Sequence, residues 1–262
     1  NVGVGAGSLG KNTTASYNTA VGYQSAYSNT TGTENVALGV FSLYANTTGI
    51  RNTALGKSAM EVNTTGTDNV AVGVTALDAN TTGANNTALG NFALTSNTTA
   101  SNNTAVGYQA GYANTTGGIH AFGANAGYNN TTGVNNTALS GGALYQNTTG
   151  GYNTAVGVAA LENNTTASSN TAVGYQAGYA NTADKNVFVG TKDGLDNTSG
   201  RLNTFVGNDS GANNTTAASN TFIGQASAYT NTTGNYNTAV GDQSLFSNTT
   251  ASSNTAVGYQ SL

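Results

Sequence analysis

Asn-Thr-Thr is the chemically suggestive element that this sequence repeats most often. The triplet begins at Asn12, Asn29, Asn46, Asn63, Asn80, Asn97, Asn114, Asn130, Asn147, Asn164, Asn214, Asn231 and Asn248, and Asn197 opens the variant Asn-Thr-Ser. Each is an acceptor sequence for N-linked glycan. Asn181-Thr182-Ala183 is the member of the series that is not. Overlapping Asn-Asn-Thr triplets add acceptors at Asn85, Asn102, Asn129, Asn135, Asn163 and Asn213. The same side chain has a second use. A primary amide is donor and acceptor at once, so stacked Asn residues can bond to one another in a column. Residue type leaves both readings open: a structural amide ladder, or a coat of covalent glycans.

Other chemistry is sparse. The chain has no Cys, one His (His120), 6 Lys+Arg and 10 Asp+Glu, and only 6% of its residues are charged. Thiolate metal sites, disulfides and cysteine nucleophiles are excluded. A single imidazole without an evident partner is poorly suited to general base catalysis or to a metal site. Six scattered cations cannot neutralise a run of phosphates, which argues against nucleic acid as a partner. No stretch approaches the roughly 20 apolar residues of a membrane span. Nothing implies a cofactor, and the chain does not read as an enzyme. The densest charge lies in Thr182–Arg201, with Asp184, Lys185, Lys192, Asp193, Asp196 and Arg201. It reads as a packing variation or an ion-paired surface patch more readily than as a ligand site. Asp193, Asp196 and Asp209 lack a calcium-repeat motif around them.

Spacing is more informative than residue type. A unit of consensus N-T-A-V-G-Y-Q-(A/S)-L-Y-x-N-T-T-G-x-x starts at Asn1 and fills the chain in steps of 17 residues, with two 16-residue units from Asn103 and Asn170. Such a short unit cannot hold a helix pair, and T-A-V has β propensity with period-2 alternation. One unit therefore reads as one coil of a β-solenoid, with a strand at positions 2–5 and a second short strand near positions 7–10. The whole of 1–262 is expected to be one continuous array of about fifteen coils, cut from a longer protein. Asn at positions 1 and 12 is expected to form ladders from coil to coil.

Position 4 is always bulky and apolar, and is expected to fill the coil interior: Val21, Leu38, Leu55, Val72, Leu89, Val106, Val156, Val173, Val206 and Val240 are members. The small residues at positions 3 and 5 then face outward, where they would permit close approach by another copy. Phe188, Phe205 and Phe222 replace Ala at position 3 in three successive coils, a possible aromatic stack.

The segments N-T-A-V-G-Y-Q-A-G at Asn103–Gly111 and Asn170–Gly178 resemble the head repeat of YadA-type trimeric autotransporter adhesins. The whole chain also resembles N-T-A-V-G-Y-Q-A-L-Y-x-N-T-T-G arrays of phage tail-fibre and secreted proteins. The resemblance implies a left-handed parallel β-roll, trimerised and active in adhesion. It carries no catalytic residue, and the inserted N-T-T-G makes these coils longer than adhesin head units.

Together these features lead to the expectation of a structural shaft in an extracellular fibre, adhesin or tail fibre, on a cell surface or virion. It would self-associate as a trimer or filament and contact host-surface carbohydrate. The alternative is a filament that acts as scaffold for covalent glycans. Thr columns at positions 2, 13 and 14 raise a third chemistry, ice binding. Adjacent Thr-Thr, the Tyr, Glu and Asp residues at position 10 and the two shortened coils all weigh against that reading.

Overall fold

The computed structural model describes residues 1–262. It is all-β, with sixteen parallel strands wound into a solenoid of about fifteen turns. Two compact units divide the chain, Asn1–Thr132 and Gly133–Leu262.

In the first unit the strands are β1 (Val2–Val4), β2 (Thr19–Val21), β3 (Val36–Leu38), β4 (Thr53–Leu55), β5 (Val70–Val72), β6 (Thr87–Leu89), β7 (Thr104–Val106) and β8 (Ile119–Phe122). Each pairs in parallel with the next in the chain, so that Ala20 lies beside Ala37 and Ala37 beside Ala54. The second unit holds β9 (Asn136–Leu139), β10 (Thr154–Val156), β11 (Thr171–Val173), β12 (Val187–Thr191), β13 (Thr204–Asn208), β14 (Thr221–Ile223), β15 (Thr238–Val240) and β16 (Thr255–Val257). The same like-on-like register runs through it. The 16-residue units do not disturb that register. Thr104 lies beside His120 in one unit and Thr171 beside Val187 in the other, because the missing residue is taken out of the turn.

Two expectations are corrected. The strand side that faces inward is position 3, not position 4. Ala20, Ala37, Ala54 and their equivalents are fully buried, while Val21, Leu55, Leu89 and Val173 are exposed. Leu38, Val72, Val106, Val156, Val206 and Val240 are only half-buried. The reason is the opposite wall. Leu43, Met60, Leu77 and Leu94 at position 9 are fully buried and occupy the space across from Ala. A coil of 17 residues has room for one large side chain per level, and position 9 supplies it. The second correction concerns positions 7–10, which form turns and no strand. Position 7 (Phe41, φ 58°) and position 9 (Leu43, φ 52°) are left-handed, so the chain there cannot follow a β path. It still bonds to its neighbours: Phe41 N–H donates to Tyr23 O at 3.0 Å and Leu43 N–H to Ala59 O at 2.9 Å.

Gly at position 5 has a specific cause. Gly22 has φ 138°, and a Cβ there would lie 2.6 Å from the carbonyl carbon of Gly39. Both the backbone region and the stacked neighbour demand glycine.

Candidate functional site

Three side-chain columns could carry function, and the structure gives each a different answer. The first is Asn at position 12. From Asn29 through Asn114 and Asn130 in the first unit these residues are fully buried, as are Asn147, Asn164, Asn197, Asn214 and Asn231 in the second. Asn12 and Asn248 are half-buried. Asn80 shows the geometry: its Nδ2 donates to Asn63 Oδ1 at 2.8 Å and to Gly83 O at 3.0 Å, and its Oδ1 accepts from Asn97 Nδ2 at 3.0 Å. The nitrogen that a glycan would modify is thus buried and already donates twice. The column is a structural ladder, and in the folded chain it has no room for glycan. Position 1 forms a second ladder. Asn35 N–H donates to Asn18 Oδ1 at 2.9 Å, and Asn35 Nδ2 to Gly49 O at 2.9 Å. Gly49 O also accepts from Asn46 Nδ2 at 3.0 Å, so one carbonyl ties both ladders together.

The position-12 ladder has one flaw. Asn181, in a shortened coil and followed by Thr-Ala, turns its Nδ2 to Ala183 O at 2.8 Å. Asn164 Oδ1 is left buried without a partner. The remaining acceptor triplets differ in exposure: Asn85, Asn102 and Asn135 are exposed, while Asn129, Asn163 and Asn213 are half-buried.

The second set of columns is Thr, and the three columns are not equivalent. At position 13 the hydroxyl is consumed, with Thr47 Oγ1 donating to Thr64 O at 3.1 Å and Thr64 Oγ1 to Thr81 O at 3.0 Å. At position 14, Thr48, Thr65 and Thr82 are exposed. At position 2 the Thr side chains share the outer strand face with the position-4 Val and Leu residues, half-exposed in β2, β4, β10 and β11.

The third is the aromatic and charged segment. Phe188, Phe205 and Phe222 do stack, with centroids 5.6 Å apart at 49° and then 4.7 Å apart at 7°. All three are fully buried, so they present nothing to a ligand. The space for Phe188 and Phe205 comes from glycine at position 9, whereas the coil of Phe222 carries Ala228 there. A Cβ on Gly178 would lie 2.5 Å from Phe188 Cδ2, and one on Gly211 2.7 Å from Phe205 Cε2. Ile119 plays the same part at position 1, filling the space beside Gly127. A second aromatic set, not expected from sequence, runs along position 10, where Tyr27–Tyr44 and Tyr112–Tyr128 stack at 5.6 Å and 5.0 Å. The frequent Tyr at that position was the signal.

The charges of Thr182–Arg201 do not converge. The ion pair in the chain is Arg51–Asp68 at 2.6 Å, elsewhere and exposed, and no group of acids and His could hold a metal ion. Asp193 is fully buried. Its carboxylate accepts from Gly207 N–H and Ser210 N–H, both at 2.8 Å. Burial outweighs those bonds and pushes its pKa up to about 7. Asp78 is likewise raised to about 6, by burial first and by neighbouring Glu61 second. His120 is exposed on β8 beside Thr104.

Hollows of 210 and 300 Å³ lie against the last two coils, lined by residues including Gln243, Phe246, Leu245 and Leu262, with no acidic or imidazole side chain in either. No helix is long and apolar enough to cross a membrane. Compared with family models, curated proteins and solved structures, the chain has no match.

Proposed function

We propose that the chain is a shaft segment of an extracellular fibre and acts by geometry, not by catalysis. The observation that carries this reading is the Asn ladder. Nearly every coil devotes two buried amides to bonding its neighbours, which resists unravelling at any single level. A protein selected for a pocket concentrates its unusual residues at one place. Here the investment is spread evenly over the coils, as length and stiffness require.

The experiment is to build chains with five and ten extra consensus coils and measure contour length by electron microscopy. A shaft lengthens by about 4.8 Å for each added coil, the spacing of paired strands, and stays straight. Chains that collapse, or whose length does not follow coil number, would overturn the proposal.

A further inference from the structure

The outer strand face of the second unit has a composition that a shaft alone does not require. In β9–β16, position 2 is Thr in every strand except Val187, and position 4 is Val in every strand except Leu139 and Ile223. Neither column contains a charged residue. The Thr hydroxyls of this face have no partner within the chain, in contrast to position 13, where Thr198, Thr215 and Thr232 all donate to the next coil.

We infer that this Thr-x-Val face binds ice, holding water in a lattice on two parallel columns. Neighbouring strands lie about 4.8 Å apart, close to an oxygen repeat on the faces of hexagonal ice. Each level except that of Val187 offers one hydroxyl to hydrogen-bond a water, and every level offers flanking methyl groups around which water must form a cage. The binding partner is specified by the unmet hydroxyls. Covering the face with an apolar surface would leave a row of them desolvated, at about 1–3 kcal/mol each, whereas ordered water satisfies every one.

Three features that opposed ice binding in the sequence do not act on this face. The outward pair is Thr-x-Val, so adjacent Thr-Thr is irrelevant to it. The shortened coil is absorbed in a turn, with Thr171 still beside Val187 and Val187 beside Thr204. The polar variation at position 10 lies in the turn segment, off the strand. The first unit is less regular: Val2, Val36 and Val70 interrupt its Thr column, His120 replaces another member, and Phe122 stands in its apolar column.

The test uses the full chain, freezing a dilute solution slowly and measuring the fraction taken into the ice, together with thermal hysteresis. Thr171→Lys and Thr204→Lys place charge on the face. Thr216→Lys, on the exposed position-14 column, is the control, and circular dichroism checks that all three fold. The inference expects uptake and hysteresis in the parent and the control, and their loss in the two face variants. Exclusion of the parent from ice, or uptake that the face variants retain, would overturn it. So would a defined oligomer of the parent that the face variants dissociate, since that would make the face an interface between copies. None of these outcomes bears on whether length follows coil number, so the shaft reading stands or falls separately.

Discussion

The Phe188 ring occupies the space that a side chain on Gly194 would need, and a Cβ on Gly194 would collide with it. The same exchange recurs between Phe205 and Gly211. Elsewhere the two positions trade sizes, with Ala71 facing Leu77 and Ala88 facing Leu94, all fully buried. The two walls of a coil therefore share one fixed volume, because interiors are close-packed and tolerate neither voids nor overlap.

Phe188 and Gly194 should consequently be strongly coupled. Phe188→Ala opens a cavity and is expected to cost about 3–5 kcal/mol. Gly194→Leu overpacks the same level and should cost roughly 1–3 kcal/mol or more. The double variant restores the Ala/Leu arrangement of other coils, and its left-handed backbone at position 9 already accepts Leu at Leu43. Denaturant titration should show the double variant more stable than either single change predicts, with a coupling energy of about 2–3 kcal/mol. Simple additivity would mean that the walls do not share their volume.

Position within the Asn ladder should set the cost of breaking it. Asn80→Ala strands Asn63 Oδ1 inside the protein and takes from Asn97 Nδ2 one of its two acceptors, leaving it only Ala100 O, at about 1–3 kcal/mol for a buried group left unpaired. Asn12→Ala removes a half-buried member whose ladder bond from Asn29 is 3.3 Å long, and should cost less than about 1 kcal/mol. Hydrogen exchange on coils next to each change reads the difference locally. Equal effects at both positions would contradict a cooperative ladder.

Glycan occupancy offers a sharp contrast among acceptor triplets. In a glycosylating host, the folded fraction should carry sugar at the exposed Asn85, Asn102 or Asn135 and none at the buried Asn29–Asn114 column. Site-resolved mass spectrometry of protease-resistant protein measures this. Sugar on Asn63 or Asn80 in folded material would be incompatible with this core.

Stability should fall as pH rises from mildly acidic to neutral. Asp193 holds its proton in the folded state up to about pH 7, while an exposed Asp carboxyl ordinarily loses it near 3.8. Between those values the folded chain binds more protons than the unfolded chain, so each rise in pH favours unfolding. Asp78, raised to about 6, adds in the same direction. Asp193→Ser introduces the residue that the next coil carries at Ser210. It should raise the melting temperature at pH 8 and flatten its pH dependence, leaving that at pH 4 little changed. A variant that loses stability at pH 8 would show that the two backbone hydrogen bonds outweigh the cost of burying the charge.

The coil length, the parallel order of the strands and the Asn columns were legible in the sequence. Each is imposed locally: one residue type must stack on itself at one repeat spacing, and nothing distant alters that. The stack of Phe188, Phe205 and Phe222 was legible for the same reason. Which strand side turns inward was not. Period-2 alternation divides Thr19 and Val21 from Ala20 but does not say which side is inside, and a preference for burying the larger residue points the wrong way. That choice depends on the opposite wall, where Leu43, Met60 and Leu77 fill the coil and leave room only for Ala. Equally, the acceptor pattern Asn-x-Thr that they share does not say that Asn80 is buried and Asn85 exposed, nor does residue type separate a Thr hydroxyl spent on a neighbouring coil from one left to water. Sequence determined what stacks on what. The tertiary structure decided what faces in, because the limited interior volume is shared between residues six positions apart.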